Sequence, residues 1–131
     1  MDGEPRRVLV VDDDLESQSG LRELFGVWGY EVDVAEDGRR ALELARRRRP
    51  DVVVMDLGLP QGDALHVIQL LSADGVRVIA FSGWDQAEVA ARAAGAEAFV
   101  LKPDLEGLER VLAGGEDPVS EPAGGPRTTR R

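Results

Sequence analysis

The sequence predicts an α/β fold, a three-layer sandwich in which one parallel sheet lies between two layers of helices. Five short, mostly apolar runs alternate along the chain with five segments that carry apolar residues at helical spacing. The apolar runs are largely continuous, which is typical of strands covered on both faces. Strand and helix units that alternate in this way join into a parallel sheet through right-handed crossovers.

The five predicted strands are rich in valine and other apolar residues, and each is followed by a polar residue. They cover residues 8–11, 30–35, 52–55, 76–81 and 98–101. Valine, isoleucine and the aromatic residues pack well on a pleated surface, which favours strands over helices in runs this short.

The five predicted helices follow the strands in turn and cover residues 15–28, 38–49, 63–72, 86–94 and 105–112. Asp14 and Asp104 precede two of them, where an aspartate side chain can accept a backbone N–H of the first turn. Gly29 and Gly95 follow two of them, where glycine commonly ends a helix. The result is a (βα)5 chain. Its common form is the flavodoxin-like three-layer sandwich with a parallel five-stranded sheet of order 2-1-3-4-5.

The composition of the 131-residue chain is that of one globular domain. Apolar residues make up 43% of the sequence, and the absence of Cys excludes disulfides, thiolate metal sites and a cysteine nucleophile. From Gly114 onward the apolar period is lost, and glycine, proline and arginine are frequent. We therefore predict a folded domain at residues 1–113 and a flexible tail at residues 114–131.

Charge and hydropathy limit the class of partner. Lys and Arg number 16 against 25 Asp and Glu, a net charge of −9, which disfavours direct binding to nucleic acid. No apolar run approaches the ~20 residues of a membrane span, and the acidic, polar start of the chain is unlike a secretory signal. We expect a cytoplasmic protein without membrane insertion.

Acidic side chains follow two of the strands that flank the reversal of strand order, where ligands bind in such sheets. Asp12 and Asp13 follow the first strand, and Asp56 follows the third. Two carboxylates ~4 Å apart repel by about 4 kcal/mol at an effective dielectric near 20, so a converging group favours a bound cation. Lys102, the only lysine, follows the fifth strand. Oxygen ligands favour Mg²⁺ or Mn²⁺ over zinc.

Four motifs stand in order at the strand ends: VVDDD at 10–14, PDVVVMDLGLP at 50–60, SG at 82–83 and FVLKP at 99–103. Through them, the segment from about residue 6 to residue 113 resembles the receiver domain of two-component response regulators. The resemblance implies a stand-alone, single-domain signalling protein that catalyses only its own phosphorylation and dephosphorylation. Such a protein acts through a protein-interaction surface.

The resemblance also implies a phosphorylation site and a metal site. Asp56 would be the phosphoacceptor, which attacks a phosphohistidine of a partner protein. Asp13 and Asp56 would bind Mg²⁺ directly, with Asp12 assisting and the backbone carbonyl of Gly58 contributing one ligand. Phosphoryl transfer needs this kind of positioning and charge neutralisation more than covalent chemistry from the protein.

A second group of residues would respond to the phosphoryl group. By the resemblance, Lys102 contacts a phosphoryl oxygen, and Ser82 moves in to hydrogen-bond the phosphoryl group. Phe99, the aromatic switch position, then turns inward. The bond between Lys102 and Pro103 would be cis, as X–Pro bonds allow.

The implied partners are a sensor histidine kinase or a phosphotransfer protein, and a downstream protein target that the sequence does not identify. The protein would be a monomer or a phosphorylation-dependent dimer. Phosphorylation takes the Asp56 side chain from one negative charge to about two. We expect the added charge to change the surface formed by the fourth strand, the fourth helix and the fifth strand.

Two alternatives belong to other functional classes. A pseudo-receiver would keep the fold as a phosphorylation-independent binding module, although none of the expected acidic residues or the lysine is missing. A small aspartate-nucleophile phosphohydrolase would use Asp12 and Asp14, but the expected Thr or Val after the second Asp is absent. At single positions, Ser82 and Asp14 can simply be caps. The only histidine, His66, is predicted to be exposed because Leu65 and Ile68 would point inward.

Overall fold

A computed structural model describes residues 6–59 and 62–114 of the chain. Five strands form one parallel sheet in the order β2-β1-β3-β4-β5, which confirms the predicted topology. The strands are β1 (Arg7–Val11), β2 (Glu31–Ala35), β3 (Val52–Asp56), β4 (Arg77–Ser82) and β5 (Ala98–Leu101). The helices are α1 (Leu15–Val27), α2 (Gly38–Arg48), α3 (Ala64–Ala73), α4 (Glu88–Ala94) and α5 (Leu105–Leu112), with a short 3₁₀ helix at Asp85–Ala87.

Apolar side chains on the two faces of the sheet build two separate cores. Along β1, Leu9 and Val11 belong to the core that includes residues of α2, α3 and α4. Val8 and Val10 belong to the other core, with residues of α1 and α5. Since successive strand residues point to opposite faces, a strand between two helical layers is apolar at every position. Each fully buried Val, Leu, Ile or Phe side chain stabilises the fold by about 1.5–3 kcal/mol.

The strand β2 departs from this pattern. Its first residue is exposed, and the next three are only partly buried, although the sequence pattern predicts strands covered on both faces. β2 lies at an edge of the sheet and pairs with β1 alone, but β5, at the other edge, is buried at its first three residues, so edge position by itself does not account for the difference. The polar Glu31 and Asp33 in this strand lie opposite Arg7 and Leu9 in the register.

The predicted helix ends are mostly confirmed. The side chains of Asp14 and Asp104 accept the backbone N–H groups of Ser17 and Gly107, both at 2.9 Å. Gly29 and Gly95 follow their helices with φ of 98° and 121°, a conformation that glycine adopts at little cost.

Two helical predictions need correction. The segment from residue 86 is not α-helical from its start, because Asp85–Ala87 forms a 3₁₀ turn before α4. In α3, His66 is exposed as predicted, but Leu65 is exposed as well, while Val67, Ile68 and Leu71 face the core. The alanine at position 64 takes the buried place at the start of the helix.

The parallel register brings the carboxyl ends of the strands to one edge. Val11 is paired with Met55, and Asp56 with Phe81. The side chains that follow these strands therefore meet at one end of the sheet. Apart from Gly114, the predicted tail at 114–131 lies outside the described residues. None of the described helices combines the length and apolar content that crossing a bilayer requires.

Candidate functional site

Three carboxylates converge at the carboxyl edge of the sheet. Asp12 and Asp13 follow β1, Asp56 ends β3, and one oxygen from each lies within 4.8 Å of the others. Asp12 is buried, with 3% of the residue exposed, whereas Asp13 is exposed and Asp56 lies between these extremes. The structure thus brings together the three acidic residues that the sequence predicted would meet.

Lys102 supplies the positive charge of the site. Its Nζ lies 3.4 Å from Oδ1 of Asp56 and 3.8 Å from Oδ2 of Asp12, and it also sits 5.5 Å from the centroid of the Phe81 ring. One ammonium against three carboxylates leaves two negative charges uncompensated. That charge matches a divalent cation, and an all-oxygen ligand set suits Mg²⁺.

Backbone hydrogen bonds hold the carboxylates in place. Oδ1 of Asp12 accepts the N–H of Asp14 at 2.9 Å, and Oδ1 of Asp56 accepts the N–H of Gly58 at 3.1 Å. The backbone carbonyl of Asp12 accepts a hydrogen bond from the side-chain amide of Gln18. Two of the acidic side chains are therefore oriented by the turns that follow their own strands.

Burial raises the pKa of Asp12 above its ordinary value. The N–H of Asp14 opposes this effect, Asp56 raises the pKa further, Lys102 lowers it, and Asp13 adds a smaller increase. The native state therefore holds this proton more tightly than the unfolded chain does. Between the ordinary and the raised pKa the native state binds more protons, so stability falls as pH rises through this window.

We expect Asp12→Asn to stabilise the metal-free protein at pH 7. The amide keeps an oxygen for the N–H of Asp14 and removes one of three repelling charges, a gain of about 1 kcal/mol or about 4 °C in Tm. Thermal unfolding with a chelator present checks this, with Glu23→Gln on the exposed face of α1 as the control. The gain should shrink as the pH falls through the raised pKa and Asp12 of the wild type becomes protonated. A lower Tm for Asp12→Asn would contradict the expectation.

A small cavity opens beside Asp56. It has a volume of about 190 Å³ and is lined by Asp56, Gly58, Ser82 and Trp84 among others. A second cavity, of about 290 Å³, is lined by Asp12 and Lys102 among others. Ser82 is buried, and its Oγ accepts the N–H of Trp84 at 3.1 Å. In this state Ser82 is a cap of the turn after β4, the simpler of its two sequence interpretations. Trp84 itself is 75% exposed.

The remaining predicted residues lie close to this site or behind it. The peptide bond between Lys102 and Pro103 is cis, as expected. Phe99 is fully buried in the core that also contains residues of α3 and α4. The ring of Phe99 is therefore already buried in this structure, without the inward turn that the resemblance implies. Gly58 has no side chain, and a Cβ there would lie 3.6 Å from Oδ1 of Asp56.

Two contributors were missed by the sequence analysis. Phe81 places its ring under Lys102, and its position opposite Asp56 in the strand register could have indicated this. Gln18 lies one turn into α1 and gave no sequence signal. Asp14, in contrast, is exposed and occupied as the cap of α1, outside the carboxylate cluster. A phosphohydrolase pair formed by Asp12 and Asp14 is therefore not supported.

Residues 8–113 match the model of a family described as the response regulator receiver domain. The chain is 39% identical over 113 residues to the response regulator MprA of Mycolicibacterium vanbaalenii, a match that covers 83% of this chain and 48% of the relative. It is 38% identical over 104 residues to the transcriptional regulatory protein PdtaR of Mycobacterium tuberculosis, covering 76% of this chain and 50% of that protein. The chain thus spans about half the length of these curated relatives.

Solved structures of response regulators are similar to this chain in fold. A two-component response regulator of the LuxR family from Aurantimonas sp. SI85-9A1 superimposes with a TM-score of 0.76 at 30% identity, covering 87% of this chain and 89% of that one. The CheX-CheY-BeF3-Mg²⁺ complex from Borrelia burgdorferi contains a chain with a TM-score of 0.75 at 29% identity, covering 85% of this chain and 90% of that one.

Proposed function

This chain belongs to the family of response regulator receiver domains, and we propose that it accepts a phosphoryl group on Asp56 from a phosphohistidine in a Mg²⁺-dependent reaction. The family assigns the chain to signalling, and the particular residues and partners are our proposal. The phosphorylated domain would then act on a downstream protein through its surface.

The observation that carries the proposal is the environment of Asp56. Asp12 is too deeply buried to meet a phosphodonor, with 4% of its side chain exposed, whereas the side chain of Asp56 is 16% exposed and lines an open cavity. Asp56 also contacts Lys102 and accepts the N–H of Gly58. It therefore combines access from solvent with a fixed orientation, the two properties that a nucleophile needs.

The acidic cluster fits a magnesium ion by the chemistry of its donors. Asp12, Asp13 and Asp56 supply carboxylate oxygens, and the carbonyl of Gly58 is our proposed fourth protein ligand. A bound Mg²⁺ would neutralise the carboxylates and attract the phosphoryl oxygens that they would otherwise repel. The Mg²⁺ in the Borrelia burgdorferi complex is consistent with this ligand chemistry in a similar chain.

The chain's own residues would perform the transfer as follows. A carboxylate oxygen of Asp56 forms a bond to phosphorus, the bond from phosphorus to the donor imidazole nitrogen breaks, and that nitrogen keeps the electron pair. Nζ of Lys102, already 3.4 Å from Asp56, donates a hydrogen bond to a phosphoryl oxygen. Ser82 would exchange the N–H of Trp84 for the phosphoryl group, since its hydroxyl can both accept and donate.

The consequence for signalling follows from charge. The modified side chain carries about one more negative charge and new acceptor oxygens. If the side chain of Ser82 rotated toward these oxygens, it would release the N–H of Trp84 in the turn after β4. This turn leads into α4. We propose that the surface of β4, α4 and β5, together with the neighbouring α5, carries the output, with Phe99 as the switch residue beneath it. The protein would be a monomer, or it would form a dimer through this surface when it is phosphorylated.

The proposed partners are a sensor histidine kinase or a phosphotransfer protein and an unidentified protein target, in the cytoplasm. We do not assign nucleic-acid binding to this domain, given the net charge of −9. The domain itself would extend to about residue 113, with residues 114–131 as a separate tail. A pseudo-receiver would share the fold and differ only in never carrying the phosphoryl group.

The test is the intact mass of the protein after incubation with acetyl phosphate and Mg²⁺. We expect a mass increase of one phosphoryl group, which is lost when a chelator removes the metal beforehand and returns when Mg²⁺ is restored. Ca²⁺ at the same concentration serves as a control for ionic strength. Absence of the mass increase with acetyl phosphate and with a phosphohistidine protein donor would favour the pseudo-receiver.

A further inference from the structure

The helix α2 carries a concentration of arginine, which is densest at its carboxyl end, at the edge of the sheet opposite Asp56. In α2 and the residue that follows it, six arginines accompany a single glutamate, Glu43, in a chain whose net charge is −9. Part of this charge is locally satisfied, because Arg40 and Arg47 pair with Glu43 and Arg48 pairs with Asp33. The basic residues at the end of a helix also suit its dipole.

Three of these arginines, Arg39, Arg46 and Arg49, have no ion-pair partner among the described residues. Arg46 and Arg49 are exposed, and no carboxylate of the described chain lies within ion-pair distance of either guanidinium. Arg49 also has φ of 49°, the left-handed region that a side chain seldom adopts. Both residues lie at the rim of a cavity of about 550 Å³ between the carboxyl ends of α2 and α3.

The cavity combines an apolar wall with a charged rim. Leu42, Ala45, Leu71 and Val76 line it together with the arginines. Two aspartates, Asp51 and Asp74, also line it against three arginines, Arg46, Arg49 and Arg77, and a carboxylate oxygen of Asp51 accepts the N–H of Arg7 at 2.7 Å. A ligand that fits would present apolar groups between negative charges.

The chain itself supplies such a segment next to the cavity. Arg77 lines the cavity, and its Nη2 donates a hydrogen bond of 2.6 Å to the carbonyl of Val111, in the last turn of α5. The described chain ends three residues later, at Gly114. Residues 116–121 have the sequence EDPVSE, in which Pro118 and Val119 are flanked by acidic residues. At about 3.5 Å per residue, Val119 can lie up to roughly 17 Å from Gly114.

We propose that residues 116–121 bind in this cavity, with Pro118 and Val119 against its apolar wall and the acidic residues beside Arg46 and Arg49. The attachment at Gly114 gives the segment a high effective concentration, roughly millimolar for a short linker, so weak exposed ion pairs suffice. This site lies at the edge of the sheet opposite Asp56. The inference does not depend on phosphorylation.

A nitroxide label reports this contact directly. Since the chain has no Cys, Ser120→Cys gives a single labelling position and leaves Pro118 and Val119 in place. We expect the label to broaden the amide NMR signals of Ala45 and Val76 strongly, and those of Gly58 and Gly83 little. In 1 M NaCl, where the Debye length is about 3 Å, the broadening should decrease sharply. No broadening, or equal broadening at both edges, would overturn the proposal.

A charge exchange separates a specific contact from a chance encounter. Arg46→Glu with Arg49→Glu should remove the broadening, and adding Glu116→Arg, Asp117→Arg and Glu121→Arg should restore it. Arg22→Glu with Arg39→Glu is the control of equal charge on other exposed surfaces, and it should leave the broadening in place. The neutral variant Arg46→Gln with Arg49→Gln should also remove the broadening, and it places no acidic residues at the end of α2. Broadening that survives removal of both arginines would overturn the proposal.

Discussion

We expect Asp56→Asn to abolish phosphorylation by acetyl phosphate and Mg²⁺, because an amide oxygen cannot form the acyl phosphate that the carboxylate forms. The substitution keeps the size of the side chain and an oxygen that can accept the N–H of Gly58. It also removes one of three repelling charges, so the folded state is not expected to lose stability. The loss should therefore be chemical. Intact mass measures it as the complete absence of the phosphorylated species.

Asp51→Asn is the matched control, since Asp51 precedes the same strand at the opposite edge of the sheet. We expect the control to be phosphorylated at the rate of the wild type. Fragmentation of the phosphorylated wild type should place the added mass on Asp56. If Asp56→Asn still gains a phosphoryl group while Asp13→Asn does not, the nucleophile would be Asp13 and the proposed role of Asp56 would be wrong.

We expect Lys102→Gln to slow phosphorylation by roughly 10- to 100-fold. A hydrogen bond to a charged group contributes about 1.5–3 kcal/mol, and each 1.36 kcal/mol of transition-state stabilisation is about tenfold in rate. The ammonium already lies within 4 Å of two carboxylates, Asp56 among them. The initial rate of the mass increase, at Mg²⁺ concentrations that saturate each variant, measures the effect.

Saturating Mg²⁺ is essential to this experiment, because removing the ammonium leaves three carboxylates without a cation and should tighten the binding of Mg²⁺. A tighter metal site with slower transfer separates the role of Lys102 from a general loss of structure. Lys102→Arg is the control that keeps the positive charge, and we expect it to lie between Lys102→Gln and the wild type, since a guanidinium differs in shape and reach. An unchanged rate for Lys102→Gln would exclude the proposed contact with the phosphoryl group.

Much of the candidate site followed from the sequence because a parallel sheet has one topological property that is independent of detailed packing. All of its strands end at the same edge, so residues that follow the neighbouring strands β1 and β3 lie close together, and the long side chain of Lys102 reaches them from the end of β5. Asp12, Asp13, Asp56 and Lys102 each stand in such a position. Their residue types are also unfavourable at a buried strand end without partners.

Other features depended on packing that no local pattern encodes. Leu65 and Ile68 lie three apart on α3, yet only Ile68 is fully buried, because the neighbouring helices define which arc of α3 is covered. Whether Ser82 faces the turn or the site is a choice between rotamers, and in this state its Oγ accepts the N–H of Trp84. The complete burial of the Phe99 ring likewise depends on the packing around it and not on a local sequence pattern.

The sequence by itself determined the order of strands and helices, the helix caps at Asp14 and Asp104, and the set of acidic residues that meet. These follow from periodicity and from backbone chemistry within a few residues. Only the tertiary structure decided that β2 is half-exposed, that the ring of Phe81 lies under Lys102, and that three arginines border a cavity beside the end of α5. The physical reason is that burial and side-chain contact depend on elements distant in the chain, whose distances and angles no local pattern contains.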